Sequence, residues 1–495
     1  MTTDLWRSGR LLIYDLSRSG RRNAAQAPAE FPGIDDIPKS HRRVTPSKLP
    51  EVSELTAVRH YTRLSQKNYS IDTHFYPLGS CTMKYNPRAC NKLAQLPQFL
   101  ARHPLAPDET GQGVLSCLHE LQEILQDVTG MDAVSLAPMA GAQGEFSGVA
   151  MIRAYHEARG DFARDQIIVP DAAHGTNPAT AAMCGYEVVE IATGSDGDLD
   201  AAALAKAAGP RTAGLMLTNP STLGVFERSI IAIQKIIHDC GGLLYYDGAN
   251  LNAILGKVKP GDMGFDVIHM NLHKTFSTPH GGGGPGAGPV GVKQKLLPFL
   301  PLPMVGFKDG VYRVMTEEEC PQSIGRLSAF TGNVGVLLRA YIYARLLGRE
   351  GMHRVAEFAT LNANYLMTKL AEAGFELAYP GRRAGHEFIV TMRKAKSDLK
   401  VTALNFAKRL LDYGFHSPTV YFPIMVPECL LIEPTETENK ETLDAFTRAM
   451  THIMIEANDQ ASVLLNAPHE TPVKRIDEAR AARRPDLTIT RNQGT

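Results

Sequence analysis

The sequence lacks three features that would each define a class of protein. It has no excess of charge, because 52 basic residues balance 52 acidic ones, and this argues against a general nucleic-acid surface. It has no uninterrupted apolar run of about 18 residues, the length of a membrane span, and no secretion signal is expected at its start. Repeats and low-complexity tracts are absent as well. We therefore expect a cytoplasmic globular protein, and 495 residues predict two or three domains.

Cysteine is scarce and follows no pattern. The seven cysteines include no C-x-x-C pair and no spacing typical of metal ligands. They are Cys81, Cys90, Cys117, Cys184, Cys240, Cys320 and Cys429. This usage is typical of reduced thiols in a cytosolic protein, so we expect neither a disulfide framework nor a metal site.

The chain does contain a lysine at a predicted strand end. Residues 265–270 are apolar and rich in β-branched side chains, which predicts a buried strand, and Lys274 follows it closely. Residues 279–289 are mostly glycine and proline, which predicts a loop that can bend closely around a ligand. An isolated lysine is usually a solvated surface residue. A desolvated amine with room for a planar ring is nevertheless what a Schiff-base lysine requires.

An aspartate ends the predicted strand before it, at residues 241–247. Ligands collect at the carboxyl ends of strands in open α/β sheets, so Asp247 and Lys274 are predicted to face one crevice. In pyridoxal phosphate (PLP) enzymes a lysine forms the Schiff base, while an acid keeps the pyridine nitrogen protonated and makes the ring an electron sink. The pair resembles the aspartate-aminotransferase-like, or fold type I, PLP-dependent enzymes. An ordinary turn residue would explain Asp247 if it stood alone.

Further strand ends carry polar residues. The small residues 140–148 lead into a helical pattern, and the exposed N–H groups of such a helix start are a candidate phosphate site. His174 follows a predicted strand at 166–170, where its ring could stack on a cofactor and move protons. Helical patterns at 201–208 and 230–240 separate successive strands. This order predicts a mainly parallel sheet with helices on both faces.

The pattern divides the chain into four parts. Residues 1–109 form a proline-rich arm and a segment that lines the site, and residues 110–326 form the large PLP-binding domain, which opens with a helix at 110–128 closed by Gly130. Residues 327–467 form a smaller α+β domain, and residues 468–495 an extended tail. Helices of the smaller domain are predicted at 334–347, 355–373, 402–413 and 440–457, and strands at 375–379, 387–392 and 429–432.

Four long motifs, at residues 76–87, 174–178, 246–252 and 271–284, resemble the P-protein family of the glycine cleavage system in its two-subunit bacterial form. The resemblance runs from Arg59 to the basic tail. It implies that Lys274 carries PLP, that Asp247 pairs with the pyridine nitrogen and that His174 stacks on the ring. It further implies that Asn250 contacts the phenolic oxygen of the cofactor, and that Ala142, Gln143 and His273 contact its phosphate.

The resemblance also implies the reaction and the partners. Glycine would be decarboxylated and its aminomethyl group transferred to the lipoyl arm of the H-protein, in a heterotetramer with two copies each of this chain and of glycine dehydrogenase subunit 1, with the arm before residue 55 at an interface. The anchor of the glycine carboxylate stays open among Ser80, Thr82, Arg326 and His386, as does redox regulation through Cys81. The glycine run at 281–284 is predicted to shape the entrance for the lipoyl arm.

Two other readings remain. Another fold type I enzyme, such as a desulfurase or an aminotransferase, would share Lys274 and Asp247 but need not share residues 76–87. A non-catalytic scaffold half of a complex would lack the lysine or its acid, and this chain has both.

Overall fold

The computed structural model describes residues 11–21, 37–45, 48–278, 280, 284 and 286–485. They divide into two compact units, one within residues 1–73 with 471–473 and one within residues 74–470 with 474–495. We call these the N-terminal unit and the main unit. No helix in the described ranges is long and apolar enough to cross a membrane.

A sheet of seven strands, counted over the described residues, forms the centre of the main unit. The strands are β1 (Ala133–Ser135), β2 (Gln166–Pro170), β3 (Glu187–Ile191), β4 (Thr212–Thr218), β5 (Leu243–Gly248), β6 (Val267–Met270) and β7 (Val290–Val292). Their order is β1-β7-β6-β5-β4-β2-β3. Strands β2 to β6 run parallel to one another, and β7 runs antiparallel to both β6 and β1. The predicted mainly parallel sheet is confirmed.

Helices connect and cover the strands. They are α1 (Glu54–Ser65), α2 (Arg88–Ala94), α3 (Pro97–Leu100), α4 (Gln112–Thr129), α5 (Gly141–Ala158), α6 (Thr176–Met183), α7 (Ala201–Ala207), α8 (Ile230–Asp239), α9 (Val334–Glu372), α10 (Arg393–Leu399), α11 (Ala403–Asp412), α12 (Lys440–Asp459), α13 (Ala461–Leu465) and α14 (Glu478–Arg483). As predicted, α4 ends at Gly130, whose φ of 70° is left-handed.

Helix α5 begins with small residues because the sheet lies very close to it. A Cβ atom at Gly141 would lie 2.2 Å from Asn271 Oδ1, and one at Gly144 would lie 2.5 Å from the carbonyl oxygen of Gly288. A Cβ at Gly148 would lie 2.4 Å from the ring of Tyr245. The glycines therefore let the helix start sit directly against the strand ends that carry Asp247 and Lys274.

The smaller α+β layer has its own sheet and core. Its strands are β10 (Glu376–Leu377), β11 (Phe388–Thr391), β12 (Thr419–Val420) and β13 (Cys429–Ile432), in the antiparallel order β10-β11-β13-β12. Apolar side chains of α11, α12 and the second half of α9 cover it. A separate hairpin joins β8 (Val305–Lys308) to β9 (Val311–Val314). The fold is thus the predicted one, a large parallel sheet followed by a smaller α+β part.

Two local predictions need correction. The tail after residue 468 is not simply extended, because Asp477 caps the short helix α14 through a hydrogen bond to the N–H of Arg480. The two predicted helices after residue 334 are continuous except for Gly348, whose φ of 61° and ψ of −172° break α9 at one position. Part of the proline-rich arm lies outside the described residues.

Candidate active site

Lys274 and Asp247 line one cavity of about 200 Å³. Asp247 lies near the end of β5, and its register partners are Thr218 on β4 and His269 on β6. Lys274 follows β6, so both side chains belong to the carboxyl ends of paired parallel strands. The other lining residues are Ser80, Gly141, Ala142, Glu145, His174, Thr176, Thr218, Thr222, Ala249, Asn250, His269, Asn271 and His273. The cavity therefore brings together all the predicted site residues except Gln143.

Asp247 is buried and held by hydrogen bonds. Its Oδ1 accepts the N–H of Ala249 at 2.9 Å, and its Oδ2 accepts the amide of Asn177 at 3.3 Å. His269 Nε2 lies 3.5 Å from Oδ1, and burial lowers the pKa of this histidine, which favours the neutral ring. The carboxylate is thus fixed in position without a strong cationic partner among the described side chains in direct contact with it.

A second buried carboxylate, Glu145, lies on helix α5 at the same cavity. Its two oxygens accept hydrogen bonds from the hydroxyls of Thr176 and Thr180, at 2.7 and 3.2 Å. Burial and the nearby charge of Asp247 raise the pKa of Glu145 to about 7. Two like charges so close together disfavour full ionisation of both, so Glu145 is partly protonated near neutrality.

His174 lies past β2 at the cavity wall, as predicted. Its Nδ1 lies 2.9 Å from the hydroxyl of Thr176, which connects it to Glu145. Burial lowers the pKa of His174, so the ring is neutral at pH 7. A neutral aromatic ring anchored on one edge suits stacking against a flat cofactor.

The residues predicted to contact the phosphate differ in which groups are free to bind it. Ala142 lines the cavity in the first turn of α5, where backbone N–H groups have no partner within the helix. The side chain of Gln143 is engaged elsewhere, because it accepts the N–H of Met139 at 2.7 Å and donates to the carbonyl of Leu327 at 3.0 Å. A contact from Gln143 would therefore come from its main chain, and it stays a prediction.

His273 faces the same end of the cavity. Its Nδ1 accepts the N–H of Ala287 at 3.4 Å, which places the ring proton on Nε2. Burial, His280 and Lys274 lower the pKa of His273 to about 3. The residue can thus donate one hydrogen bond to an anion without carrying charge. Gly281, Gly282 and Gly283, predicted to shape the entrance, lie outside the described residues.

Asn250 is buried, and its amide donates to the carbonyl of Pro220 at 2.9 Å. Thr222, also at the cavity, donates its hydroxyl to the carbonyl of Ala172. The hydroxyl of Thr218 is different, since it is buried without a hydrogen-bond partner among the residues that the structure describes. An unpartnered polar atom beside Asp247 indicates that the cavity is built for a polar ligand.

The segment 76–87, one of the four sequence motifs, is attached to the turn that carries Lys274. Lys84 is buried, and its Nζ donates to Glu436 at 2.7 Å, to Asn252 at 2.9 Å and to the carbonyl of Thr275 at 2.7 Å. Ser277 donates to the carbonyl of Tyr85 at 2.9 Å. The segment therefore lies against the turn that presents Lys274.

The candidates for a carboxylate anchor separate by position. Ser80 lines the cavity, whereas Thr82 is 4% exposed and His386 is fully buried. Arg326 is directed to Glu317, at 3.2 Å, with 42% of its side chain exposed. Ser80 is the candidate that the geometry favours.

The residues present fit PLP. The cavity joins an amine, a buried carboxylate, a neutral stacking ring and the start of a helix, which match the reactive carbon, the pyridine nitrogen, the ring face and the phosphate of that cofactor. A mainly parallel sheet with Lys274 and Asp247 at the ends of paired strands defines a fold type I PLP enzyme.

Comparison with known proteins identifies the family. The family model of the glycine cleavage system P-protein matches residues 33–412, and the family model of the glycine dehydrogenase C-terminal domain matches residues 355–473. The chain belongs to the glycine cleavage system P-protein family. It is a PLP-dependent enzyme of glycine decarboxylation.

Relatives agree over nearly the whole chain. A protein from Nitrosospira multiformis described as a probable glycine dehydrogenase (decarboxylating) subunit 2 is 70% identical over 96% of this chain and 95% of its own length. The protein of the same description from Thiobacillus denitrificans is 71% identical over 96% of this chain and 99% of its own length. A crystal structure of glycine decarboxylase (P-protein) in inhibitor-bound form has a TM-score of 0.71 at 21% identity, over 84% of this chain and 93% of that one.

Sequence reasoning missed several residues of the site. Neither Glu145 nor His269 was singled out by a sequence motif. Glu145 lies one helical turn after Ala142, and His269 lies beside Asp247 on the neighbouring strand. The hydrogen bonds of Lys84, Glu387 and Glu433 join residues that are more than 160 positions apart in the sequence. No local pattern reveals such contacts.

Proposed function

We propose that this chain decarboxylates glycine and transfers the remaining aminomethyl group to the lipoyl arm of the H-protein, together with glycine dehydrogenase subunit 1. The observation that carries the proposal is the placement of Lys274 and Asp247 in one cavity under the segment that contains Ser80. Family membership supplies the choice of glycine over the substrates of other fold type I enzymes.

The residues divide the work. Bound PLP supplies an electron sink for the electrons released when the carboxyl group leaves. Lys274 would bear the cofactor, and Asp247, held by Asn177 and Ala249, would keep the pyridine nitrogen protonated. The neutral ring of His174 would lie against the cofactor ring, and His273 with the start of α5 would bind the phosphate.

The proposed reaction needs no nicotinamide, because the lipoyl disulfide accepts the electrons. The carboxyl group of glycine leaves as carbon dioxide. The aminomethyl carbon forms a bond to one sulfur of the lipoyl disulfide, and the other sulfur is reduced to a thiol. The disulfide is thus the oxidant.

The N-terminal unit supports the choice of a partner subunit. None of the twelve residues of α1, all of which the structure describes, is buried. Leu55, Val58, Tyr61 and Leu64 are each at least 45% exposed and recur every three residues, which places them along one side of the helix. An apolar helix face of this kind requires cover. We assign the cover to subunit 1, in a heterotetramer of two copies of each chain.

The test combines a chemical label with an exchange assay. Borohydride treatment of the holoenzyme is expected to fix the cofactor to the peptide that contains Lys274, and labelled bicarbonate should enter the carboxyl group of glycine when subunit 1 and lipoylated H-protein are supplied. Lys274→Ala should abolish both. Labelling of another lysine would refute the role of Lys274. Transamination of glycine, or equal use of alanine, would refute the glycine cleavage reaction while leaving the fold type I chemistry intact.

A further inference from the structure

The loop that carries Ser80 has an unusual main chain. Leu78 pairs with Ile432 of β13, and the N–H of Gly79 donates to the carbonyl of Leu431 at 3.3 Å. A Cβ at Gly79 would lie 2.3 Å from the Leu431 side chain, so no other residue fits there. The chain then turns through two left-handed residues, Ser80 with φ of 66° and Thr82 with φ of 44°. Such conformations are unfavourable for residues other than glycine and persist where the surroundings hold them.

Two buried glutamates hold this turn. Glu387 Oε2 accepts the N–H of Ser80 at 2.7 Å, and Glu433 Oε2 accepts the N–H of Thr82 at 3.0 Å. Both side chains are fully buried. Main-chain N–H groups that converge in a left-handed turn form a small anion site, and here the anions are side chains of the same protein.

Other partners of these glutamates are few. The second oxygen of each, Glu387 Oε1 and Glu433 Oε1, has no hydrogen-bond partner among the described residues, and neither has either ring nitrogen of the buried His386 beside them. His386 Nε2 lies 3.9 Å from Glu387 Oε1 and 4.0 Å from Glu433 Oε2. Burying carboxylates is unfavourable. Within the described structure, the hydrogen bonds they make go to this loop: to the N–H groups of Ser80 and Thr82 and, for Glu433, also to the side chain of Thr82.

Ser80 is where this turn meets the cavity. The residue lines the cavity together with Lys274 and His174, and its hydroxyl makes no hydrogen bond to another residue in the described part of the chain. The other three anchor candidates are buried away from the cavity or, for Arg326, paired with Glu317.

We propose that the Ser80 hydroxyl binds the carboxylate of the amino acid substrate, and that Glu387 and Glu433 are positioning residues that place Ser80 by holding the main chain of its loop. This inference rests on the proposed function, because it assigns the substrate contact of that same cavity. It also explains why two carboxylates are buried where no described cation contacts them directly: a main chain with two left-handed residues needs acceptors for its inward N–H groups.

The experiment measures the dissociation constant of glycine by the change it causes in the cofactor absorption of the holoenzyme complex, and the KM for glycine in bicarbonate exchange. Ser80→Gly keeps the left-handed backbone without strain and removes only the hydroxyl. It should weaken glycine binding about tenfold or more, the contribution of a hydrogen bond to a charged group, while PLP affinity stays unchanged.

The positioning role is tested by a pair of substitutions and a double variant. Glu387→Gln retains an oxygen that can accept the Ser80 N–H and should bind glycine nearly as the wild type does, whereas Glu387→Ala should weaken glycine binding as Ser80→Gly does. The double variant Ser80→Gly/Glu387→Ala should be no weaker than the weaker single variant, since both act through one hydroxyl. Glu428→Ala is the matched control for Glu387→Ala: Glu428 is buried, accepts the N–H of Ala403 at 2.9 Å in the smaller layer and pairs with Lys396, so this variant should leave glycine binding unchanged.

Different results would overturn the substrate contact, the positioning role and the proposed function. Unchanged glycine binding by Ser80→Gly overturns the substrate contact, and additive losses in the double variant overturn the positioning role. If Glu387→Ala does not fold, Glu433→Ala and Glu433→Gln make the same comparison through Thr82, and equal binding by those two variants also overturns it. Absence of bicarbonate exchange in the wild-type mixture, with glycine still bound at the cofactor, refutes the proposed function instead.

Discussion

Buried carboxylates approach the active site from two sheets, and they differ in what they bind. At the parallel sheet, Asp247 on β5 and Glu145 on the adjacent helix α5 accept hydrogen bonds mainly from side chains, among them Asn177, Thr176 and Thr180. On the antiparallel sheet, Glu387 and Glu433 accept main-chain N–H groups. Asp247 and Glu145 line the cavity, where their charge acts on a bound ligand, whereas Glu387 and Glu433 hold the main chain of the loop that carries Ser80. We therefore expect the first pair to govern the electronics of the site and the second pair to govern its shape.

The largest effect that would test this division is expected at Asp247. Asp247→Asn keeps the size of the side chain and its contact with Ala249. It removes the negative charge that would keep the pyridine nitrogen protonated. We expect exchange of bicarbonate into glycine to fall by about 1,000-fold, comparable with the loss of a major electrostatic contact, with the chain still folded. Activity within tenfold of the wild type would contradict the electronic role.

The next effect concerns stability and the segment that contains Ser80. Lys84 is buried, and Lys84→Met leaves Glu436 without its cation. Removing one partner of a buried pair destabilises a protein by about 3 kcal/mol, to be measured as the free energy of unfolding in urea. The control is Lys257→Met, which removes an exposed pair with Glu357. It should change stability by less than about 1 kcal/mol, and equal losses for the two variants would contradict this account.

The variant His273→Ala tests whether an uncharged histidine binds the phosphate of the cofactor. His273→Ala should weaken PLP binding about tenfold, since it removes one hydrogen bond of about 1.5 kcal/mol to the phosphate. Because the pKa of His273 is about 3, the ring stays neutral from pH 5 to pH 8. The ratio of the PLP dissociation constants of wild type and variant should therefore stay constant across that range. A ratio that grows as the pH falls would indicate a charged histidine.

The smallest effect separates Glu145 from its neighbour. Burial and Asp247 raise the pKa of Glu145 from 4.5 to about 7, so between these values the folded chain binds more protons than the unfolded chain. The stability of the cofactor-free wild type should therefore decrease, relative to Glu145→Gln, as the pH rises from about 6 to 7.5, by an amount on the order of 1 kcal/mol. Melting temperatures of both proteins across this range measure it. A constant difference would mean that Glu145 does not titrate there.

The sequence predicted the parallel half of the site well, because each strand there is a short apolar run that ends in a polar residue. Asp247, Lys274 and His174 all follow such runs, and the structure gathers them at one cavity. Strands β3 and β7 escaped prediction, β3 because two glutamates interrupt its apolar residues, and β7 because it has only three residues next to a glycine- and proline-rich loop.

The antiparallel half could not be predicted in the same way. Glu387 and Glu433 look like ordinary acids beside strands, and their importance depends on Ser80 and Thr82 far away in sequence. The glycines of α5 were interpreted as a phosphate site alone. Gly144 and Gly148 also have a packing reason, since Gly288 and Tyr245 leave no room for a side chain.

The two hydrogen bonds of the Ser80 loop join residues that are 307 and 351 positions apart. A ribosome makes the chain from its N-terminus, so the loop is synthesised long before either glutamate that holds it. Lys274 and Asp247 belong to the parallel sheet, which is synthesised earlier, whereas the N–H of Ser80 has no acceptor until Glu387 has been made, and the N–H of Thr82 has none until Glu433 has been made. The order of synthesis thus delays the completed site until the smaller layer has been translated, and a chain that stops before residue 433 holds the lysine but not the loop.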